Sequence, residues 1–353
     1  AIGYEALYAS AGNLTTNDGE DCIAIGYQAG YTQVGGNHCT MIGTQSGYSL
    51  TTGYNNILIG NQSGFSLTTG YNNVIIGNES GKLSTNGQYN VLVGFQAGIN
   101  VTTSYNTFIG GQAGYATTTG QDNVYVGFYA GHRGTGGYYN TFVGRNAGYG
   151  GSTRNGSNNT SIGYSSGYDL TTGAQNTFVG GYAGNNLTTG NENVLIGYEA
   201  GKTMTTTRAC TFVGYKAGRS TSQEANTAIG HEALYTNING LFNTAIGYRS
   251  CYGGGSGNSN VGVGIYTLHG KTTAGENTAI GTNSQRLITS GNYNVSLGRS
   301  SCYDNTTGDY NISIGSNTGP KSSDTGLSHR LYIGNMANAQ ANKGVDSYIY
   351  GYM

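Results

Sequence analysis

Residues 176–192 read Asn-Thr-Phe-Val-Gly-Gly-Tyr-Ala-Gly-Asn-Asn-Leu-Thr-Thr-Gly-Asn-Glu, and most of the chain is this stretch repeated with variations. Its fixed point is an aliphatic residue followed by Gly. That pair falls at Gly3, Gly26, Gly43, Gly60, Gly77 and so on to Gly298, Gly315 and Gly334, twenty times in all, and most steps are 17 residues. A period of that length held over so many copies belongs to a solenoid or fibre built from one stacked unit.

With the anchoring Gly as position 0, position −1 is Ile, Val or Leu, as at Ile59, Val93 and Ile109, and position −3 is nearly always β-branched, as at Ile57, Val74 and Thr107. Side chains alternate along a strand, so these two positions share one face. Position −2 faces the other way and is also large and apolar over much of the chain: Leu58, Ile75, Leu92, Phe108, Tyr125, Phe142, Phe178, Leu195 and Phe212. A strand apolar on both faces needs cover on both. The expectation is therefore that −1 and −3 fill the coil and that these nine −2 residues form an oligomer interface with other copies of the chain. From Ala228 onward position −2 turns to Ala, Gly or Ser, which implies closer approach of the chains there, or a thinner interface.

The remainder of the repeat predicts a coil of two short strands and two turns. Gly at +4 (Gly30, Gly47, Gly64) and at +10 (Gly53, Gly70, Gly120) marks corners that need positive φ. Asn at −4 (Asn56, Asn73, Asn90) predicts a column of amides, each bonded to its neighbour in the next coil, and aromatics at +5 (Tyr31, Tyr48, Phe65) predict a stacked aromatic column. The predicted fold is all-β: a β-solenoid or β-roll of about twenty 17-residue repeats in a trimeric fibre, with residues 1–319 as the array and 320–353 as its less regular C-terminal end.

Composition excludes much else. Gly numbers 64 of 353 residues but Pro only 1, which rules out collagen; Tyr numbers 31 and charged residues make up 9%, the reverse of a disordered tail. So much Gly is also incompatible with a helical bundle. Lys plus Arg is 15 against 16 for Asp plus Glu, with no basic block, so nucleic acid is not an expected partner. No apolar run approaches the ~18 residues of a membrane span. The chain opens Ala1-Ile2-Gly3 with no signal peptide visible, as the inside of a longer protein would.

Chemistry-bearing residues are dispersed. The histidines His38, His132, His231, His269 and His329 lie in different repeats and read as surface residues, so no metal site and no cofactor are expected. Glu5, Glu199 and Glu232 share position +2, but adjacent copies never both carry an acid there, so no glycosidase pair forms and the chain reads as a non-enzyme. Paired threonines such as Thr51-Thr52 place only one column outward, which disfavours ice binding. Cys22, Cys39 and Cys210 occupy the Asn phase; Cys22 and Cys39 lie in consecutive copies, where either a bridge or simple packing is open. Three joints carry extra residues: the first spacing, Gly150–Asn158 with Arg154, and the last with Pro320 and Lys321. Each reads as a harmless bulge or as a loop on a binding face.

The runs Asn226–Gly230, Asn243–Gly247 and Asn277–Gly281, all Asn-Thr-Ala-Ile-Gly, resemble the Ser-Val-Ala-Ile-Gly core of trimeric autotransporter adhesin heads. Alternation of such runs with Thr-Thr-Gly is more similar to the repeat of tail-fibre-like proteins of phages and large viruses. The stretch Arg330–Asn335, followed by Tyr348–Gly351, is similar to the segment that ends such arrays. The resemblance implies a homotrimeric structural fibre or spike, extracellular or on a virion surface, that gives reach and multivalent attachment to a host glycan or receptor. A bacterial surface adhesin or extracellular filament subunit is the second reading, and a polysaccharide-degrading spike a distant third.

Overall fold

The computed structural model describes residues 1–9, 21–150, 156–253, 255–320, 325–334 and 347–352. It is a β-solenoid in two units, Ala1–Val179 and Gly180–Met353. The first holds ten strands of three residues, from β1 (Ile23–Ile25) to β10 (Thr177–Val179). Each lies parallel to the next with no slip, so that Leu58 stands opposite Ile75, Ile75 opposite Leu92 and Leu92 opposite Phe108. The second runs in the same manner from β11 (Val194–Ile196) to β18 (Ile312–Ile314) and then β19 (Arg330–Gly334), against which β20 (Ser347–Tyr352) pairs antiparallel.

Each coil has one strand rather than the two expected, because the rest of the repeat is a chain of tight turns. These turns still form ladders between coils: Gly47 N–H donates to Ser63 O at 2.9 Å, Ser49 N–H to Phe65 O at 3.0 Å, and Thr51 N–H to Thr68 O at 2.9 Å. Backbone donors are thus satisfied between coils without extended geometry. The +8 threonine hydroxyls join them, as Thr51 Oγ1 donates to Thr68 O at 3.1 Å and Thr272 Oγ1 to Thr289 O at 2.9 Å.

Glycine serves two separate ends here. At +4 it has the predicted positive φ, 59° at Gly47 and 56° at Gly64. At +10 no left-handed φ is needed; there a Cβ on Gly53 would collide with the carbonyl oxygen of Gly70 in the next coil. Two further columns adopt positive φ without glycine: position +2 (Gln45 at 54°, Gln62 at 52°) and position −5 (Asn55 at 54°, Asn72 at 55°).

The facing of the strand is the reverse of the expectation. The −2 residues point into the coil and are covered by their own chain: Leu58, Leu92, Phe108, Phe142, Phe178, Leu195 and Phe212 are 0% exposed, Ile75 1% and Tyr125 3%. They cannot lie between chains. The physical reason is the narrowness of the coil. With one three-residue strand per turn, a single side chain reaches inward from each strand, and it meets +3 Ala or Ser and +7 residues such as Leu50 and Leu67, also buried. The Asn column forms as predicted: Asn73 N–H and Nδ2 both donate to Asn56 Oδ1 at 3.1 Å, and Nδ2 also donates to Gly87 O at 2.8 Å.

The small −2 residues after Ala228 do not thin any interface. From Ala228 to Ser296 they are matched across the core at position +4, whereas the repeat of Ser313 keeps Gly319 there. Where −2 is Phe212, +4 is Gly218, and a Cβ there would collide with the Phe212 ring. Where −2 is Ala228, Gly262, Ala279 or Ser296, position +4 is Leu234, Leu268, Gln285 or Cys302, each 0% exposed. These residues keep the left-handed φ of the missing glycine, 52° at Leu234 and 46° at Leu268. The same slot is filled from the opposite wall.

Candidate interaction face

Because −2 turns inward, −3 and −1 turn outward. Every strand from β1 to β18 has a buried centre and two more accessible flanks. Their aliphatic side chains lie open in the single chain: Ile57 is 41% exposed, Ile109 38%, Ile162 40%, Ile246 37% and Ile280 39%. Coils ~4.8 Å apart turn these positions into two continuous rows about 7 Å apart. In the first unit the −1 row is aliphatic from Ile25 to Val179, while the −3 row mixes Ile and Val with Thr40, Thr107, Thr141, Thr160 and Thr177; together they make a largely apolar face on the order of 400 Å2, the size of the largest patch on a typical monomer, which is often functional. β-branched Thr, Val and Ile keep it stiff, since such side chains have little χ1 freedom. The signal for this face was in the sequence, in the constancy of −1, and was assigned to the wrong side.

Beside it run polar ladders that sequence reasoning missed. At +2, Gln28 Nε2 donates to Glu5 at 2.8 Å, Gln45 to Gln28 at 3.1 Å and Gln62 to Gln45 at 2.9 Å. A second run starts at Glu79, which accepts from Gln96 at 2.7 Å, while Gln96 accepts from Gln112 at 2.6 Å. A carboxylate only accepts, so a Glu begins each ladder. In the second unit the column turns to ion pairs: Glu199 binds Lys202 at 2.7 Å and Arg219 at 2.8 Å, and Glu232 binds Arg249 at 2.6 Å. Burial pushes the Glu199 carboxyl up, but the hydrogen bonds from Lys202 and Arg219 outweigh it and hold the group below its usual range. Glu5, Glu199 and Glu232 are thus engaged in ladders that join neighbouring coils.

The histidines belong to the aromatic columns. His132 stacks between Tyr115 and Tyr149, both at 5.1 Å, His231 lies between Tyr215 and Tyr248, and His269 and His329 stack on Tyr252 and Tyr310. His38 pairs with Asp21 at 3.5 Å. The predicted +5 column is present as Tyr8, Tyr31, Tyr48 and Phe65, with centroids 5.0–5.1 Å apart and planes within 7°. Stacked this way, the rings present their edges outward and keep their faces for each other.

None of the five cysteines is in a disulfide. Cys22 and Cys39 are unbridged: Cys39 N–H and Gln33 Nε2 donate to Cys22 Sγ at 3.3 and 3.1 Å. The hydrogen bond from Cys39 lowers the Cys22 thiol to about 6. Lys271 occupies a +7 core position, 0% exposed, and its Nζ has no hydrogen-bond partner among the described residues. Arg154 and Lys321, with most of the three irregular joints, lie outside the described residues. Among the described residues no group of three or more His, Cys, Asp or Glu is placed to hold a metal ion, and no helix is long and apolar enough to cross a membrane. No family model matches the chain, and neither the curated proteins nor the solved structures include a match to it.

Proposed function

We propose that the protein is a structural fibre or spike that gives reach and multivalent attachment to a surface, on a virion of a phage or large virus, and that it works as a homotrimer. The observation that supports this reading is the outward double row of −3 and −1 side chains. It offers a stiff, periodic face that is aliphatic at −1 and mixed aliphatic and Thr at −3. A copy of the same chain is its natural cover, because an identical 17-residue period keeps ridges and hollows in step. Trimerisation through Ile109, Ile162 and their equivalents replaces trimerisation through the −2 residues, which are spent on the core.

The test is light scattering coupled to size-exclusion chromatography, on the native chain and on an Ile109→Glu/Ile162→Glu variant. Both substitutions face outward, so the coil stays folded. The expected outcome is a trimer for the native chain and a folded monomer for the variant, with attachment to host cells weaker by roughly 10²–10⁴ once avidity is lost. A monomeric native chain, or a variant that still assembles, overturns the reading. A bacterial surface adhesin or filament subunit uses the same face; attachment to bacterial-host tissue glycans instead of a virion's host would favour it.

A further inference from the structure

We propose that the stacked tyrosine pairs Tyr54–Tyr71 and Tyr293–Tyr310 are oxidative cross-linking sites, where hydrogen peroxide acting through a haem peroxidase joins successive coils by dityrosine bonds. Their centroids are 4.8 and 4.7 Å apart and their planes within 3° and 8°. Tyr54, Tyr293 and Tyr310 are 42%, 44% and 47% exposed and Tyr71 is half-buried, so an oxidant reaches at least one ring of each pair directly. The near-parallel planes and short centroid distances bring the two phenol rings of each pair face to face in successive coils.

The chemistry is balanced by the peroxide. One-electron oxidation removes the phenolic hydrogen atom from each tyrosine, leaving radicals with spin on the ortho carbons. The two ortho carbons form one carbon–carbon bond. Each then gives its hydrogen as a proton to the ring oxygen, restoring two phenols. The two hydrogen atoms lost reduce one hydrogen peroxide to two waters.

Geometry separates these pairs from the edge-to-face tyrosines, and closeness from the stacks Tyr149–Tyr168 at 4.9 Å and Tyr89–Tyr105 at 5.3 Å. Tyr182–Tyr198 and Tyr248–Tyr266 meet edge to face at 88° and 89°, so their rings are not stacked. Tyr48 stacks on Phe65, which has no phenol. Tyr149 and Tyr252 lie under the guanidinium groups of Arg133 at 5.1 Å and Arg249 at 5.2 Å, and a cation beside the ring opposes removal of an electron. The run Tyr8, Tyr31 and Tyr48 shares the favourable geometry at slightly longer spacing.

The test treats the folded full chain, as an equal mixture of light and isotope-labelled copies, with peroxidase and hydrogen peroxide. Dityrosine fluorescence and mass spectrometry of cross-linked peptides are then read. The expected result is linkage of 54 to 71 and of 293 to 310 within single chains, with no light–heavy pairs. A Tyr54→Phe/Tyr293→Phe variant, which keeps both stacks, is expected to lose those two linkages with an unchanged circular dichroism spectrum. The proposal is overturned by linkages that join edge-to-face pairs or separate chains as often as stacked partners. It is also overturned by the same linkage pattern from the urea-unfolded chain, or by a folded chain that gives no dityrosine where free tyrosine couples.

Discussion

Two kinds of coil sit within the second unit. In the coil of Phe212 the strand supplies the large core residue and Gly218 makes room for it; in the coils from Ala228 onward the strand supplies a small residue and the turn supplies Leu234, Cys251 or Leu268. The outward residues do not change: Thr211 and Val213 are followed by Thr227 and Ile229, then Thr244 and Ile246. Between these coils the large core side chain moves from −2 to +4 while the outward positions stay Thr and an aliphatic residue, so the identity of the residue at any one core position is free to change. A change in the repeat is therefore no sign of a change in fold.

The largest test of that equivalence is a double-mutant cycle. Phe212→Ala leaves a cavity and is expected to cost about 3–5 kcal/mol in urea unfolding. Gly218→Leu alone overpacks the slot and adds left-handed strain, about 2–4 kcal/mol. The double variant recreates the Ala228–Leu234 arrangement and is expected to recover most of the loss, a coupling of about 2–3 kcal/mol. Additive losses would break the comparison.

Next in size is Lys271, which stands where Leu50, Leu67, Leu187 and Ile288 stand in other coils. Burial pushes its ammonium well below the ordinary lysine value. The unfolded chain then binds more protons than the folded one between the depressed value and the normal ~10.4, so stability rises with pH across that window. Lys271→Met is expected to add about 1–3 kcal/mol at neutral pH and to remove the slope. Equal slopes for the two proteins in pH-resolved urea titrations would show that the amine finds a charge partner.

Cys210 gives a smaller effect. It interrupts the Asn column: its N–H still donates to Asn193 Oδ1 at 3.1 Å, but its side chain offers no amide to Asn226, whereas Asn226 Oδ1 accepts from Asn243 N–H at 2.9 Å. Cys210→Asn is expected to restore the ladder and raise stability by about 1 kcal/mol. A loss of stability would mean the site is too tight for an amide.

Period, class and the Asn and aromatic columns were legible in the sequence, because each is a repeated residue type at a fixed phase. The facing of the strand was not. Alternation places −3 and −1 together and −2 apart, yet it cannot say which set is inside when both are apolar, as with Ile57, Leu58 and Ile59. The glycine at +4 held the missing clue, since only an inward −2 side chain explains why Gly218 gives way to Leu234 when Phe212 gives way to Ala228. The left-handed +2 and −5 columns were hidden because Gln, Asn and Tyr occupy them and the ladder geometry, not glycine, imposes their φ.

The finest contrast lies in the +2 column, where one unit uses amide ladders and the other ion pairs. Glu79 heads a ladder and also holds Lys82 at 2.7 Å. The hydrogen bonds from Lys82 and Gln96 keep its carboxyl below the usual range. A depressed folded value contributes stability above the unfolded value of ~4.3 and loses it as pH falls through the folded one. The group lies at the surface, so the contribution is at most about 0.5 kcal/mol. Glu79→Gln removes that acid-limb dependence and gives the side chain a donor for Gln62, which could then run the two ladders into one. The expected outcome is a net change within about 0.5 kcal/mol at pH 7 and a flatter stability profile below pH 5. A clear loss at pH 7 would mean that the carboxylate's pairing with Lys82 matters more than ladder continuity, and that the two units stabilise this column by the same ionic means.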